Sequence, residues 1–169
     1  MAGFIEEDSF EEEDTQRGRF LTFTIEGSVY GLSIRFVTEI IGVQPATKVP
    51  ETPDYVKGVI NLRGRIIPLI DVRLKFGKEE APYTDRTCII VIDLSPVVVG
   101  LVVDRVNDVL TFDDSHIALP PPSGAFGYEN RYIEGIGKTE NAVVLLLDAE
   151  KLLRSEEMEL IEDIAEENV

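Results

Sequence analysis

Apolar and polar positions along this chain fall into short runs, and the runs recur in a fixed order. Arg19 to Ile25 and Val29 to Ile34 are β-branched and aromatic stretches joined by Glu26-Gly27-Ser28, which predicts a β-hairpin. Ile34, Val37 and Ile41 then recur at helical spacing and Gly42 supplies a stop, so a short helix of about two turns is expected over Arg35 to Ile41. Val56 to Leu62 and Arg65 to Ile70 predict a second hairpin around Arg63-Gly64. Further strands are expected over Thr87 to Leu94, Val97 to Val103, Tyr132 to Ile136 and Ala142 to Leu147. Short helical runs follow two of these strands, at Val72 to Phe76 and Ala149 to Leu153. Leu152, Leu153, Met158, Leu160, Ile161 and Ile164 are spaced among acids with a helical period, which predicts a terminal amphipathic helix packed on the body.

The order recurs because the chain repeats itself. Val29 to Ile40 matches Val98 to Val109 without a gap, glycine on glycine at Gly31 and Gly100. Tyr55 to Ile60 and Ile66 to Asp71 match Tyr132 to Gly137 and Val143 to Asp148 in the same way. The copies lie roughly 70 to 77 residues apart, too far for a solenoid unit and suited to two copied subdomains. Only scaffold is copied: Arg63 corresponds to Glu140 and Gly64 to Asn141. Runs such as Cys88 to Ile92 and Val97 to Val103 are apolar on both faces and need cover on both sides. Two small barrels pressed together supply that cover and remove exposed edges. The expected fold is mainly β: two packed barrels from an internal duplication, with short helices and a C-terminal helix.

Composition narrows the function. With 169 residues and 44% hydrophobic content the chain can bury a substantial core, and it holds no apolar run long enough to span a bilayer. The N-terminus lacks the pattern of a secretory signal, and the single cysteine, Cys88, excludes an internal disulfide framework. A cytoplasmic location is expected. A net charge of −16 disfavours nucleic acid and anionic membrane as partners. The acids gather at the ends, in a block from Glu6 to Asp14 and another from Glu156 to Glu167; the first reads as a solvated, disordered tail.

Candidate chemistry is sparse. His116 has no second histidine or cysteine at ligand spacing and reads as a solvated loop residue, with no metal or cofactor expected. Cys88 opens an apolar strand without a basic neighbour and reads as a buried structural thiol. Asp71 ends an apolar strand, where a phosphoacceptor could sit, but Asp148 stands at the matching place and both precede helical runs; capping explains both. Glu39, on the polar side of the expected helix, and Arg63, at the hairpin, form either a surface salt bridge or the charged rim of a groove for a partner helix. The absence of catalytic machinery points to an adaptor. A sensor binding a small molecule or peptide in an inter-barrel cleft, and an enzyme using Asp104, Asp108 and neighbouring carboxylates, are the alternatives.

These segments carry a family resemblance. Tyr30-Gly31-Leu32-Ser33-Ile34 with Val37-Thr38-Glu39-Ile40, the stretch Pro53 to Asp71, Val98 to Val109 and Tyr132 to Ile136 resemble the CheW family of chemotaxis coupling proteins, as does the terminal Leu152 to Met158. Lys57-Gly58-Val59-Ile60-Asn61-Leu62-Arg63-Gly64 is the most specific part. The resemblance implies two SH3-like five-stranded barrels in one domain over residues 19–165, an acidic tail over 1–18 and a short tail over 166–169. It further implies a non-enzymatic scaffold, free-standing and monomeric when unbound. Such a scaffold joins the CheW-like regulatory domain of the chemotaxis histidine kinase CheA to the cytoplasmic hairpin tip of chemoreceptors, in membrane-attached arrays. By position, the receptor helix would lie against Ile34, Val37, Glu39, Gly58, Arg63, Cys88, Val106 and Val109. Cys88 departs from the aliphatic residue commoner at its place. Ile66, Pro121 and Ser123 are the expected kinase contacts.

Overall fold

The computed structural model describes residues 17–120 and 131–153. Strands β1 (Arg19–Ile25) and β2 (Ser28–Ser33) form the first expected hairpin, with Ile25 opposite Ser28. Its two-residue loop places Glu26 and Gly27 at φ of 49° and 85°, the backbone of a type I′ turn, whose twist matches that of paired strands. Strands β4 (Val56–Leu62) and β5 (Arg65–Asp71) form the second hairpin with the same turn at Arg63 and Gly64. There the Gly64 amide donates to Asn61 Oδ1 at 2.8 Å.

Arg35 to Ile41 does not form the expected helix. A single 3-10 turn covers Ile34–Phe36, and the chain then extends as β3 (Val37–Gly42). Val37, Thr38, Ile40 and Ile41 are β-branched and lose rotamer freedom in a helix. On β3, Val37, Glu39 and Ile41 are half-buried and the residues between them exposed, a period of two. The helical spacing of Val37 and Ile41 is also strand spacing, and pairing with β6 (Cys88–Asp93) decides between them. The matching stretch of the second copy is likewise a strand, β8 (Arg105–Thr111), which the apolar pattern did not announce.

The remaining strands are β7 (Val98–Val103), β9 (Ile117–Ala118), β10 (Ile133–Lys138) and β11 (Val143–Leu147). One sheet runs β8-β1-β2-β11-β10-β9 and the other β3-β6-β7-β5-β4. Replacing each of the first five strands in the first sheet by its repeat mate yields the second sheet, so the duplication is a pseudo-twofold relation. The copies are interlaced: β1 and β2 share a sheet with β8, β10 and β11, and β6 and β7 with β3, β4 and β5. The copies meet at four pairings: β1 with β8 and β3 with β6 are antiparallel, and β2 with β11 and β5 with β7 are parallel, with Gly31 opposite Leu146 and Gly100 opposite Leu69. The β-bulges match too, at Val56/Gly58 and Ile133/Gly135. Each sheet curls into an SH3-like barrel.

This arrangement explains strands that are apolar on both faces. One side of β6, Ile89 and Val91, packs inside its own barrel with Ile60, Ile67, Leu69 and Val102. The other side, Ile90 and Ile92, joins a core shared by both barrels with Leu21, Phe23, Tyr30, Leu32 and Leu101. Short helices α1 (Val72–Lys75) and α2 (Ala149–Leu152) seal that core. Asp71 Oδ1 accepts from Leu74 N, and Asp148 Oδ1 from Glu150 N and Lys151 N, so both aspartates cap helices as their position predicted. Phe23, Tyr30, Phe76 and Tyr132 form a series of ring contacts with centroids 5.9, 5.1 and 5.8 Å apart, the outer two pairs stacked and the middle one tilted. Beside them Lys75, 3% exposed, holds its ammonium 4.3 Å from the Tyr55 ring and 5.6 Å from that of Tyr132, the same tyrosine in each copy. Beyond Leu153 the expected terminal helix lies outside the described residues, as do residues 1–16 of the acidic tail and the C-terminal tail; Gly18, placed in that tail, is held by the Phe112 amide at 2.8 Å.

Gly58 sits at its bulge with φ of 135°, and a Cβ there would lie 2.3 Å from the Thr47 carbonyl oxygen. Its mate Gly135 would meet a movable side-chain atom, Ile117 Cγ2, at 2.9 Å. Gly58→Ala is therefore expected to cost about 2 to 4 kcal/mol of stability, and Gly135→Ala clearly less. Urea denaturation of the two variants checks the difference.

Candidate partner-binding groove

Four of the eight candidate groove residues come from the two strands that follow the crossovers between barrels. Val37 and Glu39 lie on β3, Val106 and Val109 on β8, and each strand forms one edge of its sheet. Val37 and Val106 are repeat mates and both are half-buried against the shared core, with Cys88 and Phe36. Cys88 opens β6, paired to Gly42 on one side and Val103 on the other, and its thiol meets the Val106 backbone. Ile34 is half-buried in the 3-10 turn that leads into β3. Val109 is 39% exposed, and its mate Ile40, which the sequence reading passed over, is 45% exposed. The repeat itself carried the signal that could have found Ile40. Gly58 is buried against Thr47, so it shapes the backbone of β4 and offers no surface. Ile66 is half-buried on β5 against Val56 and Val59; Pro121 and Ser123 lie outside the described residues.

Glu39 and Arg63 are joined by an ion pair, although Glu39 stands on a strand and not on the helix first expected. The pair links β3 to the β4–β5 turn, and β3 and β4 are the two ends of their sheet, so it crosses the seam where that barrel closes. With the Arg63 side chain 70% exposed, it contributes under about 1 kcal/mol to stability. The mates Asp108 and Glu140 are both acidic and cannot repeat it. The other barrel closes with apolar surface, Phe112 lying against Gly137. A charged seam therefore borders the candidate groove on one side only.

Two concave sites lie elsewhere. One of about 120 Å³ is bounded by Asp71, Arg73, Tyr83, Thr87 and Asp104. A second of about 560 Å³ lies among Lys48, Pro50, Pro53, Lys57 and Glu80. No groove residue lines either, so the inter-barrel pocket that a sensor would need is not among them.

Comparison with known proteins fixes the family. Residues 19–157 match the CheW-like domain. This chain belongs to the CheW-like domain family. It is 41% identical over 152 residues to the chemotaxis protein CheW of Klebsiella aerogenes, covering 90% of this chain and 91% of that protein. To the chemotaxis protein CheW of Bacillus subtilis it is 37% identical over 138 residues, 82% of this chain and 88% of the other. The crystal structure of the scaffolding protein TtCheW from Thermoanaerobacter tengcongensis superposes with a TM-score of 0.75 at 32% identity, covering 83% of this chain and 94% of that one.

Within this CheW-like domain the titratable groups serve structure. Asp104, a carboxylate that an enzyme reading would use, accepts two hydrogen bonds from Arg73, at 2.7 and 2.6 Å, and one from the Glu26 amide at 2.8 Å. Burial opposes its charge, but these bonds outweigh burial and hold it below the usual carboxylate range, the reverse of a general acid. Burial raises Glu134 on β10, yet Glu134 lines neither concave site. Tyr83 donates to Asp71 Oδ2 at 3.0 Å, and burial beside that carboxylate pushes its phenol upward. Cys88 is half-buried rather than fully buried, and burial raises its thiol, the opposite of an activated nucleophile. His116 sits in an exposed 3-10 turn, Asp114–His116.

A carboxylate depressed in the folded state adds stability that is present above its unfolded value of 3.8 and lost as pH falls through the lower folded one. Arg73→Gln is therefore expected to be less stable than the parent chain at pH 7, with the gap narrowing as pH drops below about 4. Denaturant titrations between pH 3 and 7 read the gap directly.

Proposed function

We propose that this protein is a chemotaxis adaptor that joins chemoreceptors to the histidine kinase CheA. The observation that carries this reading is the match to chemotaxis proteins named CheW along nearly the entire length of both chains, with a solved scaffolding protein of the same fold. The receptor's cytoplasmic hairpin tip lies in the groove between the edge strands. Its apolar face meets Ile34, Val37, Cys88, Val106 and Val109, and Glu39 and Arg63 form the polar rim. Gly58 keeps the neighbouring backbone in shape. A helix in a groove is held by a few spaced aliphatic anchors, which suits this sparse set of half-buried side chains.

The kinase's CheW-like regulatory domain docks at a barrel end, with Ile66, Pro121 and Ser123 as contacts. Each contact can be weak, because receptor and kinase held together gain effective concentration. The protein acts without catalysis, is monomeric when free, and works in the cytoplasm on receptor arrays. Among the described residues no helix is long and apolar enough to cross a membrane.

Titration of the labelled chain with a receptor hairpin-tip fragment and, separately, with the kinase regulatory domain tests the reading. Val37→Lys and Arg63→Glu are each expected to weaken hairpin binding about tenfold or more and to leave kinase affinity within about twofold. Absence of binding to either partner by the unmodified chain would overturn it.

A further inference from the structure

We propose that Arg73 and Asp104 are positioning residues for the groove, a clasp that fixes β8 where the chain crosses from one barrel to the other; this rests on the adaptor reading above. Asp104 is the one residue between β7 and β8, so the crossover happens at its backbone. Its carboxylate gathers three elements. Arg73 reaches it from α1, which follows β5 of one barrel, through a bidentate pair. The Glu26 amide reaches it from the β1–β2 turn of the other barrel. Arg73 and Asp104 side chains are only 20% and 28% exposed, so solvent screens the pair far less than it screens Arg63 and Glu39. Glu26 is itself held at a positive φ and lies 3.6 Å from the Lys78 ammonium.

Beyond the clasp, β8 is held from one side. It is a sheet edge paired to β1 alone, and the register shifts between Leu21 and Phe23. Within that shift Thr22, 2% exposed, bonds through Oγ1 to the Asp108 carbonyl at 2.6 Å and the Asp108 amide at 3.1 Å. Asn107 Nδ2 also donates to Thr24 Oγ1 on β1 at 2.9 Å, so β8 is pinned at Asp104, Asn107 and Asp108, and Val106 lies between the clasp and the other two.

The other crossover lacks a clasp. The mates of Asp104 and Arg73 are Arg35 and Glu150, with the charges inverted, and these make no ion pair in the structure. Arg35 lies over the Phe36 ring instead, 4.7 Å from its centroid. One flank of the groove, β8, is therefore tied at its start to both barrels, while β3, whose Thr38 Oγ1 donates to the Val91 carbonyl of β6 at 3.1 Å, has no ion pair at its crossover. Fixing one flank lowers the ordering cost of receiving a helix.

The test uses the full chain with Arg73→Gln, with Asp104→Asn, and with the charges exchanged by Arg73→Asp and Asp104→Arg together. Hydrogen exchange of residues 105–109 is read first, since it needs no partner. Either single substitution is expected to speed that exchange about tenfold and weaken hairpin-tip binding about tenfold, with kinase-domain affinity within about twofold. The exchanged pair restores the link between positions 73 and 104 but not the acceptor for the Glu26 amide, so it is expected to recover both in part, to a level between the single variants and the parent. Should Arg73→Gln melt too low, the near-isosteric Asp104→Asn carries the comparison. Unchanged exchange in β8, equal loss of both partners, or no recovery in the exchanged pair would each overturn the clasp. If the parent chain itself fails to bind the hairpin, the adaptor reading falls separately, and exchange in β8 still decides whether the clasp fixes the strand.

Discussion

Strand exchange between the two copies is the constraint on which the rest of the structure depends. Neither copy can complete a barrel alone: β1 and β2 need β8, β10 and β11, and β6 and β7 need β3, β4 and β5. The parallel contacts of β2 with β11 and β5 with β7 join the copies through backbone hydrogen bonds, and Gly31 and Gly100 let facing leucines close over them. Because central strands have a barrel interior on one side and the shared core on the other, they bury both faces, which commits a large apolar area to a single arrangement. The halves are thereby bound to fold together.

The same exchange shapes the proposed groove. β3 and β8, the strands at which the chain crosses from one barrel to the other, become sheet edges and expose Ile40 and Val109 at matching places. An apolar edge strand is a liability unless charges guard it or something covers it. Glu39 with Arg63 guards one edge, and Arg105 and Asp108 stand along the other. The pseudo-twofold frame is obeyed by the backbone and broken by the charges. Arg73 with Asp104 has an inverted, unpaired counterpart in Glu150 and Arg35, and Glu39 with Arg63 corresponds to two acids. Lys75 and Phe76 in α1 correspond to Leu152 and Leu153, so even the plug of the shared core differs between copies. A duplicated scaffold of this kind can offer different surfaces at equivalent places.

Much of this was legible in the sequence, and for definite reasons. The hairpins at Glu26-Gly27 and Arg63-Gly64 announce themselves because a two-residue turn demands positive φ and glycine grants it. The caps at Asp71 and Asp148 follow from the residue type and the helical run behind it. The duplication is written in matching glycines and apolar positions. The order of strands, and with it the identity of the exchanged pair, was not legible, because hydrophobic period states which faces are buried but not which strand covers them. For the same reason β3 was mistaken for a helix and β8 went unread: Val37 and Ile41 satisfy both periods, and only their partner β6 selects one. Val37, Cys88 and Val106 come from distant stretches of the chain, and only closure of both barrels gathers them at one core. Local chemistry determined turns, caps and repeat from the sequence by itself; the groove and the Asp104 clasp, which depend on contacts between residues far apart in the chain, were decided by the tertiary structure alone.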